Sequence, residues 1–325
     1  MWLINTTTLG LEYFAVPERA RRYAVLSHTW GNEELTFAEF RSLTGTNSDS
    51  LKDTRGYQKI RKTCELARQS NIPYVWVDTC CIDKSSSAEL TEAINSMYNY
   101  YRRSDICYAY IDDWMPDQDW CDLVALGEEV PTPTPRKSSG NHSTGKPGRP
   151  HCPLRWFTRG WTLQELIAPS RVQFYDASWL SRGFKNDDDI MPHLSRITGI
   201  TPRVLENGGE MSLKSVCLGQ RMSWAAHRET SRVEDTAYCL MGIFQVNMPL
   251  LYGEGNRAFL RFQHEIIKNM TDLSIFAWEP GEATAFSGIF ASHPHQFARL
   301  GTCELSRSQF SQGSEIAITN KGVRI

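Results

Sequence analysis

Three short apolar runs constrain this chain more than any other feature. Tyr23-Ala24-Val25-Leu26-Ser27, Tyr74-Val75-Trp76-Val77-Asp78 and Ile106-Cys107-Tyr108-Ala109-Tyr110-Ile111 are too short for helices, and each stops at a polar loop. They read as buried strands. Between the first two, Tyr57, Ile60, Cys64 and Ala67 recur at helical spacing from Gly56 to Ser70. Between the second and third, Ser86 and Glu89 have the spacing of a capping box. Leu90, Ala93, Ile94, Met97, Tyr98 and Tyr101 then share one face of the helix it opens. A β-α-β-α-β order predicts a mostly parallel sheet flanked by helices, with ligands bound beyond the carboxyl ends of its strands. The loops at His28, Asp78 to Lys84 and Asp112-Asp113 all follow strand ends and are expected to meet at one rim.

The rest of the chain extends this α/β plan with additional C-terminal helices. Residues 127–153, rich in Pro, Ser, Thr and Gly, read as a flexible surface insertion. Trp161 to Ala168 has helical character and Pro169 ends it; Val172-Gln173-Phe174-Tyr175 is a fourth strand. Val216 to Ala226, Val233 to Phe244 and Asn256 to Lys268 are the best later helices, and the tail carries strand-like pieces such as Ile316-Ala317-Ile318. No internal repeat is present.

Composition removes several classes of function. A formal charge of −2 over 325 residues offers no basic surface for nucleic acid, and the aromatic residues lack basic interleaving. No run approaches the roughly 18 apolar residues of a membrane span. No apolar h-region follows Met1. The nine cysteines include no CxxC pair or Cys/His ligand spacing, so no structural metal is expected. Most of the thiols are expected to be reduced core residues of a cytoplasmic protein.

Several residues could carry chemistry. On the helix at Trp161, Leu163, Leu166 and Ile167 share one side, while Glu165 falls roughly opposite with Trp161 one turn earlier. If the apolar side faces the sheet, Glu165 faces either solvent or a cleft. A carboxylate beside an indole suits glycosidic bond cleavage, since it can stabilise an oxocarbenium-like sugar. His28 reads as an acid or base, or as a loop histidine bonded to backbone. Cys80 or Cys81 with His28 and Asp78 is a possible cysteine hydrolase, against the plainer reading of buried thiols. Lys84 reads as a phosphate ligand or a solvated lysine. Gly253-Glu254-Gly255 invites a phosphate-loop reading but lacks the full patterns, so a helix-start turn is expected.

Several segments have a more specific resemblance. Trp2 to Thr6, Tyr23 to Gly31, Tyr74 to Lys84, Glu92 to Met97, Arg155 to Leu166, Arg221 to Ala225, Arg232 to Tyr238 and Met248 to Gly255 resemble, in order, the HET domain of fungal heterokaryon incompatibility proteins. The resemblance covers about residues 1–280. It leaves 281–325 as an extension of short strands and turns, with further effector or sensor domains expected downstream. It implies a role in nonself recognition and programmed cell death. HET domains in turn look like distant relatives of Toll/interleukin receptor (TIR) domains, which implies a TIR-like, flavodoxin-like fold. Trp161-Thr162-Leu163-Gln164-Glu165-Leu166 is similar to the Trp-x-x-x-Glu helix of enzymatic TIR domains. The similarity implies a catalytic Glu165 that acts at the nicotinamide–ribose bond of NAD as substrate, with no cofactor required. It also implies that Ser27, His28 and Trp30 border the ribose or phosphates. Asp78, Cys80, Asp83 and Lys84 would form the facing wall, with Trp161 beside Glu165, and activity would rise on self-association. The alternative is a non-enzymatic domain that signals death by oligomerising.

Overall fold

The computed structural model describes residues 1–15, 22–43, 49–128, 154–207, 209–280, 288–304, 317–319 and 322–324. Seven strands form one sheet: β1 (Trp2–Asn5), β2 (Leu11–Tyr13), β3 (Tyr23–His28), β4 (Tyr74–Trp76), β5 (Ile106–Tyr110), β6 (Val172–Tyr175) and β7 (Ser181–Phe184). Their order is β2-β1-β4-β3-β5-β6-β7. The inner four are parallel, in the order second-first-third-fourth, as in flavodoxin-like sheets. Antiparallel strands finish both edges: β1 and β2 on one side, β7 on the other.

The expected parallel core is therefore present, and three edge strands are additions to it. Every residue of β3 is buried, as befits a central strand covered on both faces. The helix Arg55–Gln69 packs against β3 and β4; Thr54 caps it by accepting the Tyr57 N–H at 3.3 Å. The helix Ser87–Arg102 buries Ala93, Ile94, Met97, Tyr98 and Tyr101 of the predicted face, together with Tyr100, while Leu90 is half-buried. Its capping box is only half formed. Ser86 accepts the Glu89 N–H, but the Glu89 side chain accepts the backbone N–H of Asp83 instead.

The later helices are shorter than their periodicity suggests. Leu218–Ser223 stands for Val216 to Ala226, and Val233 to Phe244 becomes two pieces, Asp235–Tyr238 and Met241–Phe244. At the second piece the backbone presses so close to the Ser87–Arg102 helix that a Cβ on Gly242 would lie 2.2 Å from Tyr98 Cβ. Arg257–Asn269 is a full helix. Beyond it the 3₁₀ segment Pro294–Thr302 buries Phe297 and is bonded back onto the Leu218–Ser223 helix through Gln220 Nε2 to the Gly301 carbonyl at 2.6 Å. Residues 288–304 thus share the core of the preceding chain. Strands Ala317–Thr319 and Gly322–Arg324 pair as a hairpin. Of the predicted insertion, residues 127 and 128 end the helix Trp120–Glu128, and the remainder lies outside the described residues. Among the described residues no helix is long and apolar enough to cross a membrane.

Candidate functional site

Sheet order places a crevice at β3, because β4 lies on one side of it and the next strand in the chain, β5, on the other. Open α/β sheets bind ligands at such a reversal. A cavity of about 320 Å³ sits there, walled by His28 to Trp30 after β3, the Asp78 and Lys84 loop after β4, and the helix Thr162–Ile167.

Glu165 lines this cavity and is 5% exposed. The solvent-facing alternative is thereby excluded. The expectation that Glu165 points away from the sheet also needs correction. All six residues of its helix are buried, because the helix is enclosed by β3, the Ser87–Arg102 helix and the helix Pro202–Asn207. The carboxyl reaches the central strand: Ser27 Oγ donates to Glu165 Oε2 at 2.5 Å, and the Trp156 indole N–H donates to Ser27 Oγ at 2.8 Å. Burial is the main influence on the carboxyl and the Asp78 carboxylate adds to it. Hydrogen bonds from Ser27 and Tyr101, and the Arg228 charge, oppose them; the net effect raises the pKa to about 8. Arg228 directs its own donors to the Trp224 and Arg159 carbonyls and to Thr162 Oγ1.

The strand-end residues divide into those on the cavity and those behind it. His28 closes β3 with its ring buried and Nε2 3.5 Å from Glu34 Oε2. Nδ1 has no partner among the described residues and Nε2 faces only Glu34, which corrects the backbone-bonded reading. Burial opposes ionisation of Glu34, but His28, Lys59 and the Gly31 N–H outweigh it and hold its pKa at about 2. Trp30, 51% exposed, donates its indole N–H to Asp78 Oδ2 at 2.8 Å and lies under Lys84 Nζ, 3.8 Å from the ring centroid. Trp161 also lines the cavity. Ser27 stands behind Glu165 and meets the cavity only through it. Thr29 is braced by Asp112, which accepts its hydroxyl at 3.0 Å and also pairs with Arg155.

Two predicted wall residues are displaced. Cys80 is fully buried and does not line the cavity, and Cys81 is buried beside it. Neither thiol joins His28 and Asp78 in the cavity lining, and burial raises the Cys80 thiol well above its ordinary pKa, so the cysteine hydrolase reading is set aside. Asp83 also lies off the cavity, where it accepts the Ser85 N–H at 3.0 Å and the Ser85 hydroxyl at 2.5 Å. The Gly253-Glu254-Gly255 turn binds a side chain of the protein itself. The amides of Gly253 and Gly255 both donate to Glu234 Oε1, at 2.8 and 3.0 Å, and are spent for a phosphate.

One wall of the cavity was not singled out in the sequence. This far wall consists of Arg159, Ser231, Arg232, Asp235 and Tyr252. The chain around Glu229 is stitched beside Thr158–Gly160 by two backbone bonds, Gly160 N to Glu229 O at 2.9 Å and Glu229 N to Thr158 O at 2.6 Å. This brings the Ser231–Asp235 segment to the rim. Asp235 accepts the Tyr252 hydroxyl at 2.9 Å, and burial, its main influence, raises its pKa against that bond and one from Trp161. These residues stand in segments of recognisable sequence, but no spacing shows that so distant a stretch returns to the same cavity.

Residues 23–165 match the family model described as "Heterokaryon incompatibility protein (HET)". The chain is also 40% identical, over 255 residues, to "Vegetative incompatibility protein HET-E-1" of Podospora anserina. It belongs to the HET family. The alignment covers 76% of this chain but only 16% of that relative, so the chain spans about a sixth of the relative's length. No solved structure matches. The HET match opens on the first residue of β3 and closes on Glu165. It therefore takes in the strand-end loops, Arg159 and the acid, while Ser231, Arg232, Asp235 and Tyr252 of the HET cavity lie beyond it.

Proposed function

We propose that this cavity cleaves the nicotinamide–ribose bond of NAD with Glu165 as the catalytic carboxylate, and that the cleavage serves nonself recognition and programmed cell death in fungi. The observation that carries the reading is a buried carboxyl opening onto a cavity at the sheet's reversal point. In the reaction the bond between ribose C1′ and the pyridinium nitrogen breaks, and its electron pair leaves with nicotinamide. Positive charge then spreads over C1′ and the ring oxygen, where an ionised Glu165 stabilises it. Water adds at C1′ and loses a proton.

The pKa of about 8 gives this role a pH signature. In the empty cavity the carboxyl is mostly protonated at neutral pH, so kcat/KM should rise as pH increases through about 8. A cationic pyridinium nearby favours the ionised form and brings the transition lower in the complex.

The test is to incubate the purified chain with NAD and measure nicotinamide and ADP-ribose. Turnover that rises with protein concentration supports both the chemistry and a role for self-association. No nicotinamide at any protein concentration between pH 6 and 9 counts against the enzyme. It would leave the second reading, a domain that signals by oligomerising. The Ser27–Glu165 bond favours that reading, since a neutral, hydrogen-bonded acid also suits a structural role. Sensor or partner modules on a longer protein would supply the trigger in either case, and the domain would act in the cytoplasm.

A further inference from the structure

Two guanidinium groups on the far wall lie outside the chemistry assigned to Glu165. Arg159 donates from Nη2 to Ser231 Oγ at 3.0 Å, a neutral partner that leaves its charge uncompensated at that bond. Arg232 lies with Cζ 4.5 Å from the centroid of the Tyr252 ring. A guanidinium held over an aromatic face keeps its N–H edges available for a planar, two-point contact with an oxyanion. Both line the cavity that holds Glu165, as does Ser231, the residue before Arg232 and the hydroxyl partner of Arg159. The backbone bonds at Gly160 and Glu229 join their two segments directly, so the fold brings the two arginines to the same rim, where Arg159 is half-buried and Arg232 exposed.

Asp78 lines the same cavity and disfavours negative charge at Glu165, with Lys84 close to Asp78. A ligand that meets both the arginines and Glu165 carries its negative charge on one part and a neutral or cationic sugar-bound group on another. At about 320 Å³ the cavity is near the lower limit for small-molecule sites. It seats a nucleoside-sized part and leaves the remainder at the mouth.

We propose that Arg159, Ser231 and Arg232 form a diphosphate subsite, so that the substrate class is a nucleoside diphosphate ester and not a free nucleoside. The proposal rests on the cleavage reading for the orientation of the ligand but not for the binding itself. It is tested by calorimetric titration of the chain with ADP and with inorganic pyrophosphate, neither of which contains nicotinamide. The expected result is binding of both, weakened at least tenfold in the Arg159→Ala/Arg232→Ala double variant. In turnover the same variant should raise KM for NAD at least tenfold with kcat changed less than threefold, while nicotinamide riboside, which lacks phosphate, is unaffected.

If the double variant does not fold, Arg159→Lys and Arg232→Lys singly keep charge and remove the planar fork; each should then weaken ADP by at least threefold. Failure of the wild-type chain to bind ADP or pyrophosphate, or equal binding by wild type and variants, overturns the subsite. Arginine-dependent ADP binding without nicotinamide release would keep the subsite and remove the cleavage reading. Nicotinamide release with a KM indifferent to both arginines would do the reverse.

Discussion

The two ends of the short helix Thr162–Ile167 handle the same physical problem in opposite ways. At the cavity end Glu165 is buried, bonded to one hydroxyl of the sheet, and open to a ligand. Past the other end Lys185 is fully buried, with Nζ donating to the Leu166 carbonyl at 3.1 Å and to the Pro169 carbonyl. A helix C-terminus leaves carbonyls without partners, and the lysine satisfies them. Burial, the main influence, lowers its pKa to about 7. Desolvation acts on both groups, but at the sealed end every partner is backbone and the group can only hold the fold. At the cavity end the partner can be exchanged for a substrate.

The largest expected effect breaks the sealed end. Lys185→Glu sets a carboxylate against two carbonyl oxygens and should cost about 3–5 kcal/mol of stability, the usual cost of an uncompensated buried charge. Glu165→Gln keeps an acceptor for Ser27 and should stay within about 1 kcal/mol of the parent. Urea unfolding of both variants at pH 7 measures the contrast. Equal losses would erase the distinction between the two ends.

The pH dependence of stability separates them next. Glu165 has a raised pKa, so its contribution is complete below about 4.5 and is lost as pH rises through about 8. Lys185 has a lowered pKa, so its contribution is complete above 10.5 and is lost as pH falls through about 7. Each slope is at most about 1.4 kcal/mol per pH unit for one proton. Glu165→Gln should flatten the limb from pH 4.5 to 8, and Lys185→Met the limb from pH 7 to 10.5. A variant that flattens the other limb would show the assignment reversed.

Smaller effects sharpen the picture at the cavity end. Trp156→Phe removes the indole donor to Ser27 and should cost about 0.5–1.5 kcal/mol, read as a lower midpoint in thermal unfolding. It should also move the rise of kcat/KM to higher pH, because a less polarised Ser27 hydroxyl stabilises the carboxylate less. The smallest perturbation is chemical. An iodoacetamide probe followed by peptide mass mapping should modify exposed Cys121 in the native chain and leave Cys80 and Cys81 unmodified until the chain unfolds. Rapid labelling of Cys80 in the folded chain would reopen the thiol chemistry set aside above.

The near half of this arrangement is legible in the sequence because it rests on local signals. β3, β4 and β5 are buried on both faces and so appear as unbroken apolar runs, each ending at a polar loop. Edge strands lack that signature. Ser181-Arg182-Gly183-Phe184 has no apolar pattern; its place is set by Asp176, which accepts the Ser178 and Leu180 amides at 2.9 Å and holds the Arg182 guanidinium. Glu165 could be singled out, but its helical wheel pointed it away from the sheet, because periodicity gives no account of a helix enclosed on all sides. Arg159, Arg232, Asp235 and Tyr252 escaped notice for a different reason. Their meeting depends on the pairing of Glu229 with Gly160, a long-range contact with no local trace.

The central claim is that Glu165 acts on a bound nucleotide and is not merely part of the wall. The most direct measurement compares NAD binding and nicotinamide release by the wild-type chain and Glu165→Gln under identical conditions at pH 8. The account predicts a Kd for NAD within about threefold of wild type and turnover reduced by about 100-fold or more, in the range for a positioned acid or base. Undiminished nicotinamide release by a folded Glu165→Gln would contradict it.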